Sequence, residues 1–116
     1  MDSGAESKFN EGIAKLNRIG MQRTLIMQYR PKRKWYKIFD CLVNIRTEIW
    51  ERMNIDERKE VKDFESKIRN DFYVKQDKRG LDITMLENYE DRLQELCYKY
   101  GLSMPDKDDF LEPENF

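Results

Sequence analysis

The residues best suited to bind a partner form one short run, RPKRKWYK, at positions 30–37. Five of its eight residues are Lys or Arg, and two more are the aromatics Trp35 and Tyr36. Lys and Arg bind phosphates and carboxylates, and a tyrosine ring can stack on an unpaired base. We therefore predict a surface for an anionic partner, formed by Arg30, Lys32, Arg33, Lys34, Tyr36 and Lys37.

A second group of cations occurs later in the chain, where Lys75, Lys78 and Arg79 precede the turn residue Gly80. The first and third connections of an up-and-down four-helix bundle lie at the same end of the bundle. We therefore expect the two groups to form one surface, called here the basic rim. The simpler alternative is that connections between helices are solvated and carry Lys and Arg for that reason alone.

The end of the chain has the opposite charge. Residues 104–116 contain five acidic residues and one Lys, with Phe110, Leu111 and Phe116 among them. Acidic segments with few apolar residues stay unfolded alone and can become ordered on a partner. We predict an extended acidic tail that binds a partner; docking of the tail onto residues 30–37 and simple fraying of the terminus are the alternatives.

Carboxylates spaced three residues apart form a third pattern, Glu48 and Glu51 followed by Glu60 and Asp63. Residues at i and i+3 share one face of a helix, where their oxygens could hold Mg²⁺. The pattern resembles the metal site of the all-α nucleotide pyrophosphohydrolases, although the eight residues between Glu51 and Glu60 are fewer than that family has. The resemblance implies a Mg²⁺-dependent hydrolase. The alternative is that these carboxylates lie on exposed helix faces and pair with nearby cations.

Other catalytic and metal-binding chemistries lack the residues that they need. The chain has no histidine, which is the commonest general base and transition-metal ligand. Its two cysteines, Cys41 and Cys97, are too few for a four-ligand zinc site, and neither common glycine-rich phosphate-binding motif is present. We therefore predict a non-catalytic protein without cofactor or metal, and the hydrolase is the weakest of three interpretations.

Composition limits the class of protein further. The 116 residues are enough for one domain. The net charge of −1 gives no long-range attraction to nucleic acid or membrane, although 39% of the residues are charged. Cysteines inside apolar patterns, and a start unlike a secretory signal, favour reduced thiols in an intracellular, cytoplasmic protein. No apolar run approaches the roughly 20 residues of a membrane span.

Four stretches with apolar residues at helical spacing must position these groups. Pro31 ends the first stretch, because the residue before a proline avoids the helical conformation. The second has the most regular seam, with apolar residues spaced 3, 4, 3, 4 from Trp35 onward. The third begins at a predicted capping box, with Asn54 as the cap and Glu57 three residues later. The fourth ends at Gly101, a left-handed terminator on which Leu102 can pack back. The helices are predicted at about residues 4–29, 32–53, 56–73 and 84–100.

Strand signals are nearly absent, because the chain has three Val and no Asn-Gly or Asp-Gly turn. We predict an all-α protein: a small antiparallel bundle of about four helices over residues 1–103, followed by the acidic tail at 104–116. The predicted function is binding or assembly with a protein partner through the basic rim and the tail. A nucleic-acid-binding accessory protein that uses the same rim is the alternative. Association of two copies through the first or second helix remains open, and no membrane contact is expected.

Overall fold

Amphipathic helices form nearly all of the structure. The computed structural model describes the backbone of residues 3–74 and 83–102, with side chains from residue 11 onward within those ranges. This part of the chain contains four α-helices and one short 3-10 helix, so the predicted all-α class is confirmed. They are α1 Ser3–Tyr29, α2 Trp35–Ile49, the 3-10 helix Trp50–Arg52, α3 Ile55–Val74 and α4 Ile83–Lys99.

Each helix runs antiparallel to the one before it, as the four-helix bundle requires. Side-chain contacts join the early residues of one helix to the late residues of the next. The end of α1, the start of α2 and the end of α3 consequently lie at the same end of the bundle. The contacts that fix these directions join Lys15, halfway along α1, to the carbonyl of Glu48, and also join Tyr36 to Phe72 and Glu57 to Lys99.

The core is built mainly by α2 and α4, whose apolar residues recur at intervals of three and four. In α2 the predicted seam is confirmed, because Ile38, Leu42, Ile45 and Ile49 are almost completely buried. Trp35 begins this seam and packs against it while remaining partly exposed. The largest buried side chains contributed by α4 are Tyr89, Leu93 and Leu96.

The sequence spacing of Ile13, Leu16 and Ile19 predicts that they share one face of α1, and the structure corrects this prediction. Ile19 and Ile26 are buried, whereas Ile13 and Leu16 remain exposed. At 100° per residue, Ile13 lies about 120° round the helix from Ile19, so the two cannot both face the core. α1 therefore presents a second apolar face, which the described residues leave uncovered.

Two local signals in the sequence are confirmed at helix ends. The N–H of Asn54 donates to Glu57 Oε1 at 3.0 Å, and the N–H of Glu57 donates to Asn54 Oδ1 at 2.8 Å, which is the predicted capping box at the start of α3. At the end of α4, Gly101 has a φ of 74° and Leu102 is buried behind it.

Candidate binding surface

The turn between α1 and α2 is closed by the two backbone hydrogen bonds of a Schellman motif. The N–H of Lys34 donates to the carbonyl of Tyr29 at 3.2 Å, and the N–H of Arg33 donates to the carbonyl of Arg30 at 3.0 Å. The motif needs one residue in the left-handed conformation, and Arg33 supplies it with a φ of 54°. Because residues 30–33 complete the end of α1, α2 begins at Trp35 and not at the predicted residue 32.

Arg33 adopts a conformation that costs free energy. The left-handed region is unfavourable by roughly 1–2 kcal/mol for residues other than glycine. At the end of α4 the same motif uses Gly101, where the N–H of Leu102 donates to the carbonyl of Cys97 at 2.7 Å. At the first turn, a long cationic side chain stands where glycine would be more stable. Strain of this kind is a physical reason to look for a function at the turn.

The side chains of Lys32, Arg33 and Lys34 are exposed. None of them forms an ion pair or a side-chain hydrogen bond with a residue that the structure describes. Lys37 is also exposed, and its Nζ lies 5.6 Å from the centre of the Tyr29 ring. We call these four residues the basic turn.

Most other cations of the described bundle are neutralised by carboxylates. Each has a carboxylate oxygen within 4.0 Å, so the uncompensated positive charge is concentrated at the basic turn. The paired cations are Lys15, Arg18, Arg23, Arg30, Arg46, Lys62, Lys67, Arg69, Arg92 and Lys99.

Arg30 differs from the other predicted cations because it contacts α4. Its Nη2 donates to the two carboxylate oxygens of Glu90 at 2.7 and 2.8 Å. Arg23 donates to the same carboxylate at 3.3 Å, and Glu90 is buried between the helices. Arg30 therefore holds the turn against the bundle, and we leave it out of the proposed contact surface.

An aromatic groove borders the basic turn between α2 and the end of α3. The ring of Tyr36 stacks on Phe72 with 4.2 Å between ring centres, and the Tyr36 hydroxyl donates to the carbonyl of Phe72 at 3.3 Å. Tyr73 stands at the edge of the groove with 76% of its surface exposed. The groove encloses about 320 Å³ and is lined by Tyr36, Phe39, Asp40, Arg69, Phe72 and Tyr73.

Part of the predicted surface lies outside the described residues. This applies to Lys75, Lys78 and Arg79 of the basic rim, to the acidic tail at 104–116, and to its apolar residues Phe110, Leu111 and Phe116. α3 ends at Val74, close to the Tyr36–Phe72 contact.

A buried carboxylate that the sequence did not reveal ties three helices together. Glu65 is fully buried and accepts hydrogen bonds from Arg46 Nε at 2.6 Å, Arg46 Nη2 at 3.0 Å and the Tyr89 hydroxyl at 2.5 Å. Burial alone would raise the pKa of Glu65, but the hydrogen bonds from Arg46 and Tyr89 outweigh it and hold the pKa below its ordinary value. Burial, reinforced by the Glu65 carboxylate, raises the pKa of Tyr89 far above its ordinary value. All three groups are partnered, so the cluster acts as a structural cross-link.

Glu57 forms a similar link between α3 and α4. Besides its contacts in the capping box, it accepts hydrogen bonds from Lys99 Nζ at 2.5 Å and from the Tyr100 hydroxyl. Burial opposes ionisation, but the hydrogen bonds from Lys99, Tyr100 and the backbone of Asn54 lower the pKa of Glu57 to about 2.

The four carboxylates of the hydrolase-like pattern do not meet in one site. Glu51 is exposed on the 3-10 helix, and the other three each contact a cation on a different part of the bundle. Across residues 11–74 and 83–102, no three Asp, Glu or Cys side chains are grouped so as to hold a metal ion. The ion pairs are Glu48 with Arg18 at 2.8 Å, Glu60 with Arg92 at 2.9 Å and Asp63 with Lys67 at 2.9 Å.

Comparison of this chain with models of known protein families, with curated proteins and with solved structures found no match. Within residues 3–74 and 83–102, no helix combines the length and apolar character needed to cross a bilayer.

Proposed function

We propose that this is a non-catalytic binding protein that recruits an acidic segment of a protein partner through its basic turn and aromatic groove. The observation that supports this most strongly is Arg33, a cation held in the left-handed conformation at a position suited to glycine. With Lys32 and Lys34 it places three adjacent, unneutralised charges in solvent. Charges in this state are available to a partner without breaking an internal ion pair.

The groove adds an apolar contact to the charged one. In the proposed complex, carboxylates of the partner meet Lys32, Arg33 and Lys34, and a neighbouring apolar side chain of the partner enters the groove beside Tyr73. Aromatic residues and Arg are enriched at the centres of protein interfaces. An acidic peptide suits this surface better than a phosphate backbone, because Asp40 lines the groove and repels a continuous row of phosphates more than an uncharged apolar side chain flanked by carboxylates.

The acidic tail is the second contact surface in this proposal. Its acids and its residues Phe110, Leu111 and Phe116 suit a basic, apolar groove on a partner. Truncation after residue 103 should abolish binding of a partner that uses the tail, while the cooperative thermal unfolding of the bundle is retained.

Fluorescence anisotropy with the full chain tests the role of the basic turn. The probe is a labelled short peptide of Asp and Glu with one central Phe, titrated at about 20 mM and about 150 mM salt, because surface electrostatics weaken over that range. Lys34→Glu should weaken binding by about tenfold or more, equivalent to about 1.4 kcal/mol. The matched control is Lys59→Glu, which changes the net charge equally at an exposed, unpaired Lys of α3.

The two variants separate local contact from general charge. Loss of binding in Lys34→Glu alone supports the basic turn. An equal loss in both variants, or no binding at the lower salt concentration, contradicts the proposal.

A second candidate ligand is single-stranded nucleic acid, and exposed Tyr73 is the observation that favours it. Its ring stands beside the Tyr36–Phe72 stack and Arg69, an arrangement on which a base could stack, with about 1–3 kcal/mol per base. The same titration with a labelled oligothymidine decides between the two. Tighter binding of the oligonucleotide than of the peptide at about 150 mM salt, lost in Tyr73→Ala, would favour nucleic acid.

A further inference from the structure

One face of α1 is exposed and apolar, and it is separate from the basic turn. Ile13, Leu16 and Met27 expose 44%, 40% and 48% of their surface. Gly20 lies between them, and no atom lies within 4 Å of the position that a Cβ would occupy there. We call this surface the α1 face; it consists of Ile13, Leu16, Asn17, Gly20, Thr24 and Met27.

The α1 face carries no charge, although 39% of the chain is charged. The nearest charged side chains on either side of the face form ion pairs with carboxylates of other helices. Arg18 binds Glu48 at 2.8 Å, and Arg23 binds Glu90 at 3.3 Å. An exposed helix face normally bears charged and polar residues, so the composition of the α1 face indicates that it is covered.

Four residues of the α1 face lie in pairs that are symmetrical about Gly20, whereas the position matching Asn17 is Arg23, which binds Glu90 instead. Ile13 and Met27 lie seven positions to either side, and Leu16 and Thr24 lie four positions to either side. Residues at these spacings fall on one side of a helix. The Thr24 hydroxyl donates to the carbonyl of Gly20 at 3.1 Å, so it is already partnered if it becomes buried.

We propose that the α1 face binds the same face of a second copy of this chain, with the two α1 helices antiparallel and crossing at Gly20. A two-fold axis through the crossing brings Ile13 of each copy against Met27 of the other, and Leu16 against Thr24. Glycine at the crossing lets the two backbones approach closely. This symmetrical spacing suits a contact between two identical helices, and a different partner would gain nothing from it.

The size of the α1 face sets the expected strength of association. Six residues a side is well below the 20–30 a side of a standard stable interface. We therefore expect a dimer that dissociates at roughly micromolar concentrations.

Sedimentation velocity of the full chain from about 5 to about 500 µM tests this proposal across the expected range. Gly20→Gln should weaken dimerisation by about tenfold or more, because the new side chain fills the crossing. The fold should persist with a higher thermal midpoint, since the side chain meets nothing within 4 Å in the monomer and Gln favours helix over Gly. The matched control is Gly12→Gln: Gly12 is equally open but lies about 80° round the helix from Gly20, so dimerisation should be retained.

Disulfide formation gives an independent readout of the geometry. Only a residue on the two-fold axis meets its own copy, so Gly20→Cys should cross-link to itself under mild oxidation. Thr24→Cys should not, because its two copies would be about 12 Å apart along the antiparallel helices, beyond the roughly 7 Å between Cα atoms that a disulfide spans. The native thiols of Cys41 and Cys97 are buried and do not compete.

The proposal is supported if the unmodified chain and Gly12→Gln dimerise while Gly20→Gln does not. It is overturned if the unmodified chain stays monomeric at the highest concentration, or if Gly20→Gln dimerises as strongly. Equal cross-linking of Thr24→Cys and Gly20→Cys would also overturn it.

Discussion

Replacing Glu65 by Gln is the most demanding test of how this bundle is held together. The substitution keeps the shape of the side chain and removes its charge. Glu65 has no exposed surface and accepts three hydrogen bonds, two of them from the guanidinium of Arg46. A glutamine amide offers one acceptor oxygen, and its NH₂ group would face the donors of Arg46 or Tyr89.

The expected loss of stability depends on how deeply Arg46, the partner of Glu65, is buried. Removing one member of a buried ion pair typically costs 3–5 kcal/mol, because the other charge is left unpaired. Arg46 retains 14% exposure of its side chain and lies 5.2 Å from the centre of the Trp50 ring, which offsets part of the cost. We therefore expect Glu65→Gln to lower the free energy of unfolding by about 3 kcal/mol. This corresponds to a fall in the thermal midpoint of roughly 10–20 °C for a domain of this size.

Urea denaturation followed by circular dichroism at neutral pH measures this loss. Asp63→Asn on the same helix is the matched control, because Asp63 and Lys67 are 2.9 Å apart but 63% and 61% exposed. Exposed pairs contribute little, so the control should lose less than about 0.5 kcal/mol. Replacing Glu65, Arg46 and Tyr89 together by Leu, Met and Phe should recover most of the loss, since no polar group is then left unpaired. A loss below about 1 kcal/mol in Glu65→Gln, or equal losses in the two single variants, would refute the reasoning.

Three further predictions concern the strain at the basic turn, the effect of low pH on stability, and the reactivity of the two cysteines. Arg33→Gly should raise the free energy of unfolding by about 1 kcal/mol in urea while weakening binding of the acidic peptide, whereas Gly101→Ala should lower stability. The pKa of Glu57 is depressed from 4.5 to about 2 in the folded chain. The stability that its ionised carboxylate contributes is therefore complete above pH 4.5 and is lost as the pH falls towards 2. The urea midpoint should decrease over this pH range, and it should decrease less in Glu57→Gln. Burial raises the pKa of Cys41, and raises that of Cys97 to about 12, so a thiol reagent at pH 8 should label neither until denaturant is added.

Local patterns in the sequence predicted the four helices, the cap at the start of α3 and the glycine that ends α4. The 3, 4, 3, 4 seam of α2 and the pair Asn54 and Glu57 depend only on near neighbours along the chain, so the spacing of residue types is sufficient. The start of α2 was predicted three residues too early, because Pro31 is acceptable in the first turn of a helix and Arg33 gives no sign of a left-handed residue.

Contacts between helices could not be predicted from local patterns in the sequence. The residues next to Glu65 and Glu90 along the chain do not distinguish them from exposed glutamates. They are buried because arginines of other helices pack against them in the folded bundle. In the same way, residues 30–37 were singled out by local composition, but Phe72 and Tyr73 join them only through the register of α3 against α2. The uncovered face of α1 likewise depends on where α2 lies, because either of two apolar faces could have been buried.

The bond between Arg30 and Glu90 has a consequence for a chain that is still being synthesised. The two residues are 60 positions apart, so the acid emerges from the ribosome long after the basic turn. Until α4 is present, the core also lacks Tyr89, Leu93 and Leu96, which are fully buried in the complete bundle. The hydrogen bonds within the turn are local, but Arg30 can hold the turn against the bundle only after α4 has packed on α1. A partner that binds this geometry would distinguish a finished molecule from a nascent or truncated one.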